Sequence, residues 1–155
     1  MRVRDAAFSD IPAMTETMVL SFRSAFAGFV SPETMAANTR EENCLRLLEQ
    51  CYSDPTMHFL TAEEGGMLIW QLTEEGAEII ALHTRPRAWG TGLGKALLDA
   101  ALNQIGSRPV FLWAFRENRR ALRFYEKNGL VPDGRDRISE FDGAVEIRLY
   151  KPQTL

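Results

Sequence analysis

The stretch Arg87–Leu102, RAWGTGLGKALLDAAL, sets glycine at three alternate positions, Gly90, Gly92 and Gly94, ahead of a lysine and a helical pattern. It lies between two apolar runs, EIIALHT from Glu78 and VFLWAF from Val110. A strand, a glycine turn, a helix and a second strand form a crossover, and a crossover makes its two strands parallel. The run VFLWAF has no polar alternation, which marks a strand covered on both faces. The centre of the chain is therefore a sheet with a parallel pair and a helix packed over it.

Glycines before a helix suit an anion. They let the backbone turn with its N–H groups outward, and the unpaired amides and dipole of the helix start favour a phosphate. Two well-known phosphate loops are excluded by spacing. A P-loop needs G-x-x-x-x-G-K-[ST], but Trp89 stands at the first glycine and Ala96 at the hydroxyl position. The dinucleotide pattern G-x-G-x-x-G would need a third glycine where Lys95 or Leu97 stands. What remains is G-x-G-x-G with Lys95 beside it. Taken alone, it also fits a turn that merely packs a helix onto a sheet.

Around this unit the pattern predicts β-α-α-β-β-β-α-β-α-β-β. Arg2–Asp5 is a short strand. SDIPAMTETMVLSFRSAF is a helix with Ser9 or Asp10 as N-cap and Pro12 in its first turn. AGFVSPE breaks it, and a second helix runs from about Thr39 to Tyr52. HFLTAE and MLIWQLT form a hairpin across Glu64-Gly65-Gly66. The helix after the glycines carries the stripe Leu93, Leu97, Ala101 and Ile105. A further helix runs from Asn118 to a cap at Asn128-Gly129. Two strands, around Arg137–Phe141 and Ala144–Lys151, close the chain across Asp142-Gly143. With 155 residues, no repeat and no linker, residues 1–155 read as one domain.

RPRAWGTGLGKALL resembles motif A of the GNAT superfamily, the acyl-CoA-dependent N-acyltransferases, through Pro86, Gly90, Gly92, Leu93, Gly94 and Leu97. NRRALRFYEKNGL resembles motif B through Asn118, Ala121, Tyr125, Gly129 and Leu130. The two are correctly ordered and one strand apart, and the element order fits over residues 1–151. The resemblance implies a mixed α+β fold in three layers: a mostly antiparallel sheet of about seven strands, helices on both faces, and a splayed parallel pair that binds CoA. It also implies acetyl-CoA as co-substrate, a primary amine (small molecule or peptide) as acceptor, and direct attack in a ternary complex. The other reading of the same fold is a non-catalytic acyl-CoA-binding or sensor domain.

By the same resemblance the pyrophosphate lies on Trp89, Gly90, Thr91, Gly92, Leu93, Gly94 and Lys95. The pantetheine arm lies along Leu82, His83 and Thr84, and Asn118 caps a helix and touches CoA. Trp89 departs from the family, which has Gln or Arg there, and Arg85 and Arg87 are near in sequence to compensate. Tyr125 is the expected general acid, protonated at neutral pH because a phenol's reference pKa is near 10. A core tyrosine is the alternative. Glu78 is the candidate base through water, with His83 as the other titratable group near the cleft. Phe26, Phe29 and Glu33, in the segment between the first two helices, are expected to line the acceptor cleft.

The remaining features narrow the partners. A net charge of −3 and a pI of about 5.5 disfavour nucleic acid. No apolar run approaches the ~20 residues of a membrane span, and the N-terminus lacks a secretory pattern, so the chain is expected in the cytoplasm. Cys44 and Cys51 sit about two helical turns apart, roughly 10 Å, too far for a disulfide. No His or Cys spacing suggests a metal. A homodimer is left open.

Overall fold

The computed structural model describes residues 2–140 and 143–154. Its elements are β1 (Val3–Asp5), α1 (Ile11–Ala25), α2 (Pro32–Asn38), α3 (Glu41–Tyr52), β2 (Met57–Ala62), β3 (Gly66–Thr73), β4 (Gly76–Thr84), α4 (Leu93–Ile105), β5 (Val110–Phe115), α5 (Arg119–Lys127), β6 (Val131–Ile138) and β7 (Val145–Lys151). Phe141 and Asp142, the end of an expected strand and the head of the expected turn, lie outside the described residues.

The sheet has seven strands in the order β1-β2-β3-β4-β5-β7-β6. Every neighbouring pair is antiparallel except β4 and β5. That parallel pair is joined only at Ala77–Val110 and Glu78–Phe111, so the two strands separate towards their C-terminal ends. The cause lies in β4. On β3, Ile69 pairs with Ala81 and Trp70 with Ile79, which leaves Ile80 as one extra residue. Such a bulge bends its strand and re-aims the side chains around it.

The sheet separates two cores. On one face α4 and α5 cover Leu68, Trp70, Ile79 and Leu112 with Leu93, Leu97, Leu98, Ala101 and Ile105. Each large side chain buried there contributes about 1.5–3 kcal/mol. Gly66 makes this approach close: a Cβ on it would meet Leu97 at 2.7 Å and Leu93 at 2.9 Å. On the other face α1 and α3 cover Phe59, Met67 and Ile69 with Ile11, Met14 and Leu48.

Two expectations need correction. The segment read as a break followed by one helix holds a helix of its own, α2. Ser31 caps it by accepting from the Thr34 amide at 3.2 Å, and Pro32 opens its first turn. The penultimate strand begins at Val131, six residues before the expected Arg137. Its residues are all exposed and include Pro132 and Gly134, which an edge strand tolerates.

Candidate active site

After β4 the chain makes a short 3-10 turn, Pro86–Ala88, then passes through Gly90 at φ +76° and Gly92 at φ +87°. Both angles are in the left-handed region that glycine enters without cost. A Cβ on Gly90 would meet nothing within 4 Å, so that side of the loop is open. The first helical bond of α4 runs from the Ala96 amide to the Gly92 carbonyl at 3.0 Å. The amides of Gly92, Leu93, Gly94 and Lys95 thus have no backbone acceptor among the described residues. They border a cavity of about 610 Å³ that also takes in Leu82, Thr84, Trp89, Ala121 and Phe124.

The Trp89 indole N–H donates to the Thr84 carbonyl at 3.1 Å, which fixes the ring against the end of β4. The Arg120 guanidinium lies 4.2 Å from the centre of that ring, a cation–π contact, and Arg120 lines the cavity. α5 therefore brings a positive charge to the ring at position 89. Arg85 does not compensate. Its Nε donates to Thr17 Oγ1 at 2.9 Å and its head pairs with Glu16 at 3.4 Å, turning it towards α1. Arg87 does not border the cavity. Lys95 does, although its ammonium is 2.9 Å from Asp99.

A second cavity of about 400 Å³ lies against α1 and α3. Its wall is mostly carbon, including Met18, Phe22, Leu48, Ile69 and Trp113. The two cavities share Phe26, Leu82, His83 and Asn118. Ile80 and Ala81 both line the second cavity, and Leu82 returns to the α4 side, as the bulge requires.

Ten of the expected CoA-site residues meet in the first cavity: Leu82, His83, Thr84, Trp89, Gly90, Gly92, Leu93, Gly94, Lys95 and Asn118. Thr91 does not border it; its hydroxyl donates to the Ala88 carbonyl at 2.5 Å. Asn118 is the N-cap of α5, its Oδ1 accepting from the Ala121 amide at 3.3 Å. Tyr125 is buried in the core under α4, its ring 5.2 Å from Phe124, and borders neither cavity. Its neighbour one turn back, Ala121, does. Burial raises the Tyr125 pKa well above the usual phenol value.

Glu78 is half-buried where β4 and β5 part, and borders neither cavity. Burial raises its pKa; Arg137 opposes this, and Glu75 and Glu146 reinforce it. His83 faces both cavities, with Nδ1 3.0 Å from Ser21 Oγ, and burial lowers its pKa to about 4. Phe26 borders both cavities and packs its edge on Phe115 at 5.1 Å, with Phe29 behind it. Glu33 is exposed on α2 and borders neither. The carboxylate that does reach the second cavity is Glu146 on β7. Sequence reasoning missed Arg120 and Glu146. Arg120 sits in the variable part of the second motif, and Glu146 is an ordinary polar residue of a half-buried strand.

Among the described residues, no group of three or more His, Cys, Asp or Glu is placed to hold a metal, and no helix is long and apolar enough to cross a membrane.

Two adjoining cavities, one under bare helix amides and cations and the other walled with carbon, share a wall in an α+β fold. Residues 20–130 match the model of the acetyltransferase (GNAT) family, and the chain belongs to that family. It is 36% identical over 114 residues to mycothiol acetyltransferase of Beutenbergia cavernae, an alignment covering 67% of this chain and 38% of that protein. It is 26% identical over 127 residues to the peptidyl-lysine N-acetyltransferase YiaC of Escherichia coli, covering 82% and 81%. The fold superposes on the PaiA N-acetyltransferase of Thermoplasma acidophilum, solved with coenzyme A, with a TM-score of 0.75 at 22% identity over 97% and 98% of the two chains. The chain spans well under half of the mycothiol acetyltransferase that it matches.

Proposed function

We propose that the chain is an N-acetyltransferase that moves an acetyl group from acetyl-CoA to a primary amine in a ternary complex. The observation that carries this reading is the meeting of the two cavities at Phe26, Leu82, His83 and Asn118. Direct transfer requires both substrates at once with their reacting atoms ~3–3.5 Å apart, and a shared wall supplies that proximity.

Acetyl-CoA supplies the thioester, whose acyl carbon accepts the amine. The amides of Gly92 to Lys95, with Arg120 and Lys95, hold the diphosphate by charge-assisted hydrogen bonds. The edge of β4 that β5 leaves unpaired, near Leu82 and His83, binds the arm as an added strand would. The Thr84 carbonyl already accepts from Trp89, so the arm's amides use the groups before it.

The reaction forms a C–N bond, breaks a C–S bond, takes one proton from the amine and returns one to sulfur. Glu78 takes the first through water: its raised pKa makes it a stronger base than a surface carboxylate. Tyr125 gives the second. Burial keeps its phenol protonated, and it sits one helical turn from the cavity wall at Ala121. The free thiols Cys44 and Cys51 and the use of acetyl-CoA fit the cytoplasm as its compartment.

The feature of the chain that favours a non-catalytic sensor is Trp89, where the family has Gln or Arg. Arg120 stacked on that ring restores the missing charge and removes its motive. Gly94→Val tests the donor site. A Cβ there has room, its nearest neighbour being Phe124 at 3.6 Å, so the fold should hold while the added bulk obstructs the phosphate. Calorimetry should show CoA binding weakened at least tenfold. Unchanged affinity in a folded variant would refute the placement, and a wild-type chain that binds acetyl-CoA but releases no thiol with any amine would refute catalysis.

A further inference from the structure

Resting on the acetyltransferase reading, we propose that the second cavity selects small primary amines with an apolar body, an aryl or alkyl group, over polyamines, amino sugars and peptidyl lysine. Met18, Phe22, Leu48, Met57, Ile69 and Trp113 present carbon or sulfur from α1, α3 and three strands. The polar members are few: Asn38, His83, Asn118 and Glu146. His83 and Asn118 stand on the wall shared with the donor cavity, where the nucleophilic nitrogen must arrive. The rest of the acceptor then faces carbon.

Charge narrows the choice further. Glu146 is the only carboxylate among the described lining residues, and it is already engaged. Its Oε1 accepts from Arg137 Nε at 2.9 Å, and the Arg137 guanidinium lies 4.3 Å from the centre of the Trp113 ring. A polyamine would bring two or more ammonium groups to a wall whose one anion is matched, and the surplus charge would be desolvated without a partner. An amino sugar would set its hydroxyls against carbon and leave them unbonded.

The rim and the volume point the same way. Leu47 and Ile80 line the cavity while 56% and 44% exposed, so the apolar surface continues outward to solvent. A peptide carrying the target lysine would lay its backbone amides there, on side chains that return no hydrogen bond. A volume of about 400 Å³ falls at the small end of the ~300–1,000 Å³ typical of small-molecule sites.

The experiment measures thiol release from acetyl-CoA by the purified chain with butylamine, hexylamine, 2-phenylethylamine, spermidine, glucosamine and a capped lysine peptide. Calorimetry of the same amines is run on the CoA-bound chain, where turnover is not needed. Apolar burial is worth about fourfold per methylene, so kcat/KM should rise about 15-fold from butylamine to hexylamine. Spermidine, glucosamine and the peptide should fall at least tenfold below hexylamine. Ile80→Glu should lower hexylamine at least tenfold, raise spermidine, and leave acetyl-CoA affinity within twofold. Leu47→Glu on exposed α3 serves if Ile80→Glu does not fold. A flat alkyl series, or a peptide or polyamine preferred over hexylamine, overturns the proposal. Amines that bind in the expected order without thiol release uphold the cavity assignment and overturn catalysis. Turnover of lysine peptide with no binding of apolar amines does the reverse.

Discussion

His83 should make the fold acid-labile in a range where its carboxylates do not. Its imidazole titrates near 4 in the folded chain, lowered by burial from an ordinary 6.5. As pH falls, the unfolded chain binds this proton first, so stability is intact above about 6.5 and is lost down to about 4. A difference of ~2.5 pH units at ~1.4 kcal/mol each gives about 3.5 kcal/mol at full burial. His83 is only partly buried where it borders the two cavities, so screening reduces this to about 1.5 kcal/mol. The comparison is with His83→Asn, which does not titrate and keeps a polar group facing Ser21. Thermal unfolding of both proteins at pH 7, 5.5 and 4.5 isolates the histidine, because shared carboxylate effects cancel in the difference. For a chain of this size, ~1 kcal/mol moves Tm by ~2–4 °C, so the wild type should lose about 3–6 °C more than the variant between pH 7 and 4.5. Parallel losses, within 1 °C, would show that the ring is solvated as an exposed histidine is, and would refute the burial argument.

Arg120→Gln should raise the Kd for acetyl-CoA about tenfold, the loss of one charge-assisted contact, and should flatten its salt dependence. Unchanged affinity at low salt would mean that the guanidinium does not meet phosphate. Tyr125→Phe should lower kcat and kcat/KM together by about 10²–10⁴-fold with CoA affinity unchanged; full turnover in a stable variant would remove Tyr125 from the mechanism. Glu78→Gln should abolish the acid limb of the kcat/KM profile and raise Tm at pH 7. The sign follows from its raised pKa: the folded chain holds the Glu78 proton more tightly than the unfolded one, so charging it above that pKa costs stability. A variant that keeps the limb would pass the base role to another group.

The parts of the fold legible in the sequence were those with a repeating pattern. Leu93, Leu97, Ala101 and Ile105 gave α4, and all four are at most 1% exposed. The unbroken run at Val110 gave β5. The helix α2 is hidden because its seven residues hold no apolar stripe, and its Ser31-Pro32 start reads equally as a break. The glycine rim of the first cavity was legible because glycine spacing reports backbone conformation directly. The acceptor site was not. The resemblance puts Glu33 with Phe26 and Phe29 in the segment expected to line the cleft, whereas the carboxylate in the second cavity, Glu146, arrives from β7 through strand pairing with β5. The stack of Arg120 on Trp89 joins α5 to the loop across 31 positions, which no local pattern encodes.

The bulge at Ile80 places unusual weight on chain length at one position. Ile79 and Leu82 face the α4 core, while Ile80 and Ala81 both face the acceptor side. Removing Ile80 would leave every later side chain of β4 on the face it now occupies. What would vanish is the bend, and a straight β4 would keep pairing with β5 beyond Glu78. The gap proposed for the donor's arm would close with no lining residue changed. Exchange of the side chain at this position alters only the lining of the second cavity; loss of its backbone removes the opening itself. A screen of single-residue deletions along β4 would therefore find its most damaging member at a half-exposed site that a screen of substitutions would rank as mild.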